Sequence, residues 1–176
     1  MILQQALALL DENSIQYILT TEPDKAAFYR QKGFVPRTHS GEFLLITIPN
    51  PNHPISVQLI FDGISEDARF IDLEFGGYWY ELFDTEEQYL AEELISEIHQ
   101  IMSGTAYVIF ARDTKTGRWL WDGMYDDSPD EEENSMEGFR RAVEKIKRPK
   151  GWWQKLTGKS TTYEIYNWHH YEMIVK

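Results

Sequence analysis

The stretch that decides the fold is residues 69–102, RFIDLEFGGYWYELFDTEEQYLAEELISEIHQIM. Ile71, Leu73 and Phe75 alternate with Phe70, Asp72 and Glu74, the period of two that belongs to a half-buried strand. Gly76-Gly77 can supply the positive φ angles of a two-residue primed turn. That turn fixes the pairing: Phe75 with Tyr78, Leu73 with Tyr80 and Ile71 with Leu82 on an apolar face. Glu74 with Trp79, Asp72 with Glu81 and Phe70 with Phe83 fall on the opposite one. Like charges opposed on a sheet are destabilising. Asp72 and Glu81 therefore ask for an arginine, a cation, a basic partner or open water.

After Phe83 the pattern changes to that of an amphipathic helix. Asp84 with Glu87, or Thr85 with Gln88, has capping-box spacing. Leu90, Leu94, Ile98 and Ile101, joined by Ala91, Ile95 and Met102, form the apolar stripe, and Ser103-Gly104 stops it. Working outward, 43–48 (FLLITI) and 55–61 (ISVQLIF) are β-branched runs separated by a proline-rich loop. On the far side of the helix, 105–112 (TAYVIFAR) and 118–122 (RWLWD) form a second hairpin across DTKTG. Ile2–Leu10 has helical spacing, and residues 15–19 fit either a strand or more helix. Pro23 opens a second helix, PDKAAFYRQK, stopped by Gly33. Met136, Phe139, Val143 and Ile146 mark a helix with acids before it and cations at its far end, which complements the macrodipole. TTYEIYNWHHYEMIVK closes the sequence as one long strand or as a hairpin broken near 167–170.

The expected fold is α+β: a single domain over 1–176 with a mostly antiparallel sheet of six to eight strands and about four helices. Its parts are a helical region at 1–33, the sheet and central helix at 43–122, and an acidic loop, helix and C-terminal strands at 123–176.

Ala27–Phe34, AFYRQKGF, is similar to the helix-to-strand element of acetyl-CoA-dependent acetyltransferases, and comparable strings occur in vicinal-oxygen-chelate proteins. The glycine-rich pyrophosphate loop that accompanies it in the acetyltransferases is absent here, and the segment reads as an amphipathic helix with a glycine cap.

The formal net charge is −12, with six Trp, ten Tyr and no Cys. The missing cysteines exclude disulfides and thiolate metal sites. No apolar run approaches a membrane span, and the N-terminus lacks the cationic region and cleavage site of a secretory signal, so a cytoplasmic location is expected. From Asp62 to Glu97 there are twelve acidic residues and one basic, and from Asp122 to Glu137 eight acidic and none basic. From Arg140 to Lys159 there are eight basic and one acidic. This balance argues against a general nucleic-acid binder and for a basic protein partner.

Chemistry has few carriers. There is no nucleophile elbow, Walker loop or dinucleotide fingerprint. His39, His53, His99, His169 and His170 lack the i, i+4 spacing of helical zinc ligands, so neither a metal nor a cofactor is expected. The expected function is a non-catalytic binding or inhibitor protein that recognises a basic partner through an acidic-aromatic face: Asp72, Glu74, Trp79 and Glu81. In composition the chain resembles bacterial immunity proteins against nuclease toxins, which are small, acidic and poor in cysteine. The alternative is a metal- or carboxylate-dependent hydrolase using Asp72, Glu74 and Glu81 with a nearby histidine. A weaker one is membrane or nucleic-acid contact through the basic-aromatic segment 147–159, with Lys150, Trp152, Trp153 and Lys155.

Overall fold

A computed structural model describes residues 2–24, 27–28, 30, 42–61, 70–83, 87–126, 137–148 and 160–176. The chain is α+β and divides into two compact units, Met1–Ile98 and His99–Lys176.

The first unit begins with helix α1 (Ile2–Glu12). Its end is a Schellman cap: Ser14 takes a positive φ of 57°. Ser14 N–H donates to Asp11 O (3.0 Å) and Ile15 N–H to Leu10 O (2.9 Å), closing the last carbonyls of the helix. Leu10 and Ile15, the apolar pair that accompanies this cap, are both buried.

Five strands then form an antiparallel meander: β1 (Ile18–Glu22), β2 (Phe43–Ile48), β3 (Val57–Phe61), β4 (Phe70–Phe75) and β5 (Tyr78–Phe83), neighbours in that order. Gly76 and Gly77 have φ of 59° and 92°, a two-residue turn with both central residues left-handed. All six pairs that this turn imposes are present in the register, from Phe75 with Tyr78 to Phe70 with Phe83. The register carries through the sheet, aligning Ile46 with Leu59 and Leu59 with Leu73. Ile46, Ile48, Val57, Leu59, Phe61, Ile71, Leu73, Phe75 and Leu82 all lie on that one face, and all are buried. Residues 84–86, with the expected capping box, lie outside the described residues.

Helix α2 (Glu87–Ser103) follows, and the stripe Leu90, Leu94, Ile98 and Ile101 is fully buried. Gly104 ends the helix with φ +83°, and its N–H donates to Ile101 O at 3.0 Å.

In the second unit β6 (Ala106–Asp113), β7 (Trp119–Asp126), β8 (Thr161–Asn167) and β9 (Tyr171–Val175) form an antiparallel sheet in the order β7-β6-β8-β9. Helix α3 (Glu137–Lys147) packs on β8 and β9. Phe139, Ala142, Val143 and partly buried Ile146 close over Ile109, Ile165, Tyr163 and Ile174. The helical stripe was legible in the sequence, although Met136 lies outside the described residues.

The strand and helix numbers differ from expectation. Among the described residues, nine strands in two sheets stand where one sheet of six to eight was expected, and three helices where about four were expected. Beyond these helices a helical turn opens at Asp24, whose carboxylate accepts from Ala27 N–H at 3.1 Å. Two strand boundaries have local features. First, β7 runs through Gly123 to Asp126, past the expected end at Asp122, with the Tyr125 ring close against the bare glycine, 3.1 Å from where a Cβ would lie. Second, buried Asn167 breaks the C-terminal run into a hairpin: its Oδ1 accepts from His169 N–H (2.9 Å) and His170 N–H (2.8 Å), and its Nδ2 donates to Gly104 O (3.1 Å).

The β6–β7 turn is held by Asp113, whose carboxylate accepts from Thr116 N–H (2.8 Å), Thr116 Oγ1–H (2.9 Å) and Lys115 N–H (3.1 Å). The backbone bond from Thr116, then its hydroxyl, hold this carboxyl below the usual carboxylate range. A depressed folded-state pKa contributes stability that is complete above the unfolded value of about 3.9 and is lost as pH falls through the lower folded value. Chemical denaturation across pH is expected to show wild type more stable than Asp113→Asn near neutrality. The difference should shrink once pH drops below about 3.9 and vanish below the folded value.

Candidate functional site

The outward face of the five-stranded sheet carries the residues singled out in the sequence. Its cross-strand rows follow from the register: Thr20, Leu45, Ile60, Asp72 and Glu81 in one, and Ile18, Thr47, Gln58, Glu74 and Trp79 in the next. Asp72, Glu74, Trp79 and Glu81 therefore do share one patch at the β4–β5 end of the sheet.

Their environments differ. Glu74 is 4% exposed, and its Oε1 accepts from Gly77 N–H, so this carboxylate belongs to the turn that sets the hairpin register. A carboxylate at that position, three residues before the second turn glycine, satisfies a backbone donor that the tight turn leaves over. Trp79 is half-buried. With Phe28 it covers a small apolar cluster of Phe43, Leu45 and Ile60. Phe28 meets the Phe43 ring edge-on at 5.2 Å and the Trp79 ring at 6.2 Å, geometries that aromatic quadrupoles favour. Phe28 stands in the turn capped by Asp24, so the cap positions the ring that covers this face.

Asp72 is half-buried and sits directly opposite Glu81, which is exposed. The patch therefore has an aromatic body at Trp79 and an acidic edge at Asp72 and Glu81, with Glu74 withdrawn beneath. Of the three carboxylates in the hydrolytic alternative, Glu74 is buried and engaged by the turn, and Asp72 and Glu81 remain as the facing pair.

His169 and His170 both lie in the β8–β9 turn, their rings 6.3 Å apart. Among the described residues no group of three or more His, Asp or Glu is placed to hold a metal ion, and no helix is long and apolar enough to cross a membrane. Lys150, Trp152, Trp153 and Lys155 lie outside the described residues.

Sequence reasoning missed a second surface. Trp121 and Tyr125 stay exposed on β7, beside Tyr163 and Tyr107, with the two tyrosines 107 and 125 stacked at 5.5 Å. Tyr171, Met173 and Val175 are exposed along β9. The alternation of 171, 173 and 175 was a usable signal, blurred by Ile174, which puts an apolar residue on the other phase of the strand. Comparisons with protein-family models, with curated proteins and with solved structures return no match to this chain.

Glu74 and Glu81 separate by stability. Urea unfolding of Glu74→Ala is expected to show a loss of about 1–3 kcal/mol, because the part-buried Gly77 N–H loses its acceptor. Glu81→Gln should lie within about 0.5 kcal/mol of wild type or slightly above it, since it relieves a like-charge pair at an exposed position.

Proposed function

We propose that this protein is a non-catalytic binding module, of the inhibitor kind, for a basic protein partner. The observation that carries this reading is the in-register opposition of Asp72 and Glu81 on the outer face of the sheet. Glu81 is exposed and makes no ion pair among the described residues. A cationic side chain from a partner would find the Glu81 carboxylate available at this acidic edge, with Asp72 beside it. Trp79 beside them is a half-buried aromatic ring, the kind of anchor that interfaces favour. The net charge of −12 would steer a cationic partner toward the chain from beyond contact distance.

On this reading Asp72 and Glu81 contact the partner, Trp79 packs against it, and Glu74 acts indirectly by holding the hairpin. The test is capture of basic proteins from the native host by wild-type protein and by the Asp72→Asn/Glu81→Gln pair. Wild type is expected to retain a basic partner whose association slows as salt rises. The double variant should weaken its affinity by about tenfold or more, roughly 1.4 kcal/mol, without loss of fold. A partner held equally by both proteins and at all ionic strengths would remove the basis for the proposal.

A further inference from the structure

The hydrogen bonds of the β8–β9 hairpin show which way each β9 residue turns its backbone. Thr161 and Lys176 exchange both N–H···O bonds (2.6 and 2.8 Å), and at the other end Asn167 N–H donates to His170 O at 3.0 Å. Antiparallel pairs alternate between closed and open, so Tyr163–Ile174 and Ile165–Glu172 are closed, while Val175, Met173 and Tyr171 turn their N–H and C=O away from β8. Among the described residues nothing takes up the outward groups of Met173 and Val175. The two residues are 56% and 60% exposed, and Tyr171 beside them is 41% exposed.

Exposed sheet edges are commonly guarded by charge, proline or a bulge. The β6–β7 pairing is bulged at Ala111/Arg112, β5 carries Glu81, and β1 ends in Glu22. The β9 strand, YEMIV, has no proline and an unbroken register. Its one charge, Glu172, lies on the opposite face to Met173 and pairs with Lys147 of α3 at 3.3 Å.

We infer that β9 is the seam of a homodimer, in which a second copy of this chain adds its own β9 antiparallel about a two-fold axis at Met173. The register is self-complementary. Met173 meets Met173 of the second copy, and Tyr171 meets Val175, an aromatic–β-branched pair of the kind that stabilises sheets. Every paired residue on that face is one whose backbone points outward, so the bonds close without disturbing β8. On the other face Glu172 meets Ile174 and His170 meets Lys176, so no carboxylate opposes a carboxylate. That matters in a chain of net charge −12, and it contrasts with the Asp72–Glu81 pair. Helix α3 lies over β8 and β9. The two-fold axis therefore sets the two α3 helices side by side about two strand spacings, roughly 10 Å, apart, the normal distance for packed helices.

The test exploits the absence of cysteine from the chain. In the proposed register the Cα atoms of residue 173 in the two copies are about 5.5 Å apart, within disulfide reach, whereas those of residue 175 are separated by more than about 13 Å. Met173→Cys is expected to give a disulfide dimer on mild oxidation, and Val175→Cys is not. Wild type should sediment at twice its 20.8 kDa mass. Met173→Pro removes only an outward N–H and Met173→Lys adds an edge charge, so both should sediment as monomers with wild-type circular dichroism. A monomeric wild type, equal cross-linking at 173 and 175, or a dimer that fails to cross-link at 173 overturns the inference.

Discussion

One carboxylate bond sets the outer face of the first sheet. Gly76 and Gly77 both take left-handed φ, and the tight turn they make leaves a backbone N–H that the buried Glu74 accepts. Side chains alternate with a period of two, so a slip of one residue would exchange the two faces of the hairpin. With the turn closed, Ile71, Leu73 and Phe75 are committed to the core. Asp72 and Glu81 are then committed to each other.

That constraint separates carboxylates that look alike in sequence. Asp72, Glu74 and Glu81 lie on one face within a single hairpin, but one serves the backbone while two form an acidic edge. Trp79 is divided in the same way, with its ring against Phe28 and over the Phe43–Leu45–Ile60 cluster while the residue stays half-exposed. Structure and surface chemistry share the same residues here. A change at Glu74 would disturb the acidic edge through the register, without any direct contact to a partner.

Local rules made much of this legible. The Gly-Gly turn fixed six cross-strand pairs in advance, and the stripe from Leu90 to Ile101 marked α2 because spacing of 3.6 has one burial solution. What the pattern left open was decided by side chains acting on distant backbone. Asn167, bonding both the next turn and Gly104, selects the hairpin of the two readings of the last run, and β7 runs on to Asp126, past the expected Asp122, with the Tyr125 ring against Gly123. The division into two sheets also escaped, because hydrophobic pattern names strands and not their neighbours. Of the site, the shared face of Asp72, Glu74, Trp79 and Glu81 was readable from alternation. Burial of Glu74 was not, since a charged residue on the polar phase of a strand gives no sign of a backbone donor waiting for it.

The most direct test of the central claim is amide hydrogen exchange at Gly77. If the Glu74 carboxylate holds the turn, the Gly77 amide exchanges slowly, as the ladder amides of the same hairpin do. It loses that protection in Glu74→Ala and keeps it in Asp72→Ala. A Gly77 amide that exchanges at the unprotected rate in wild type, or that is indifferent to Glu74→Ala, would contradict the account.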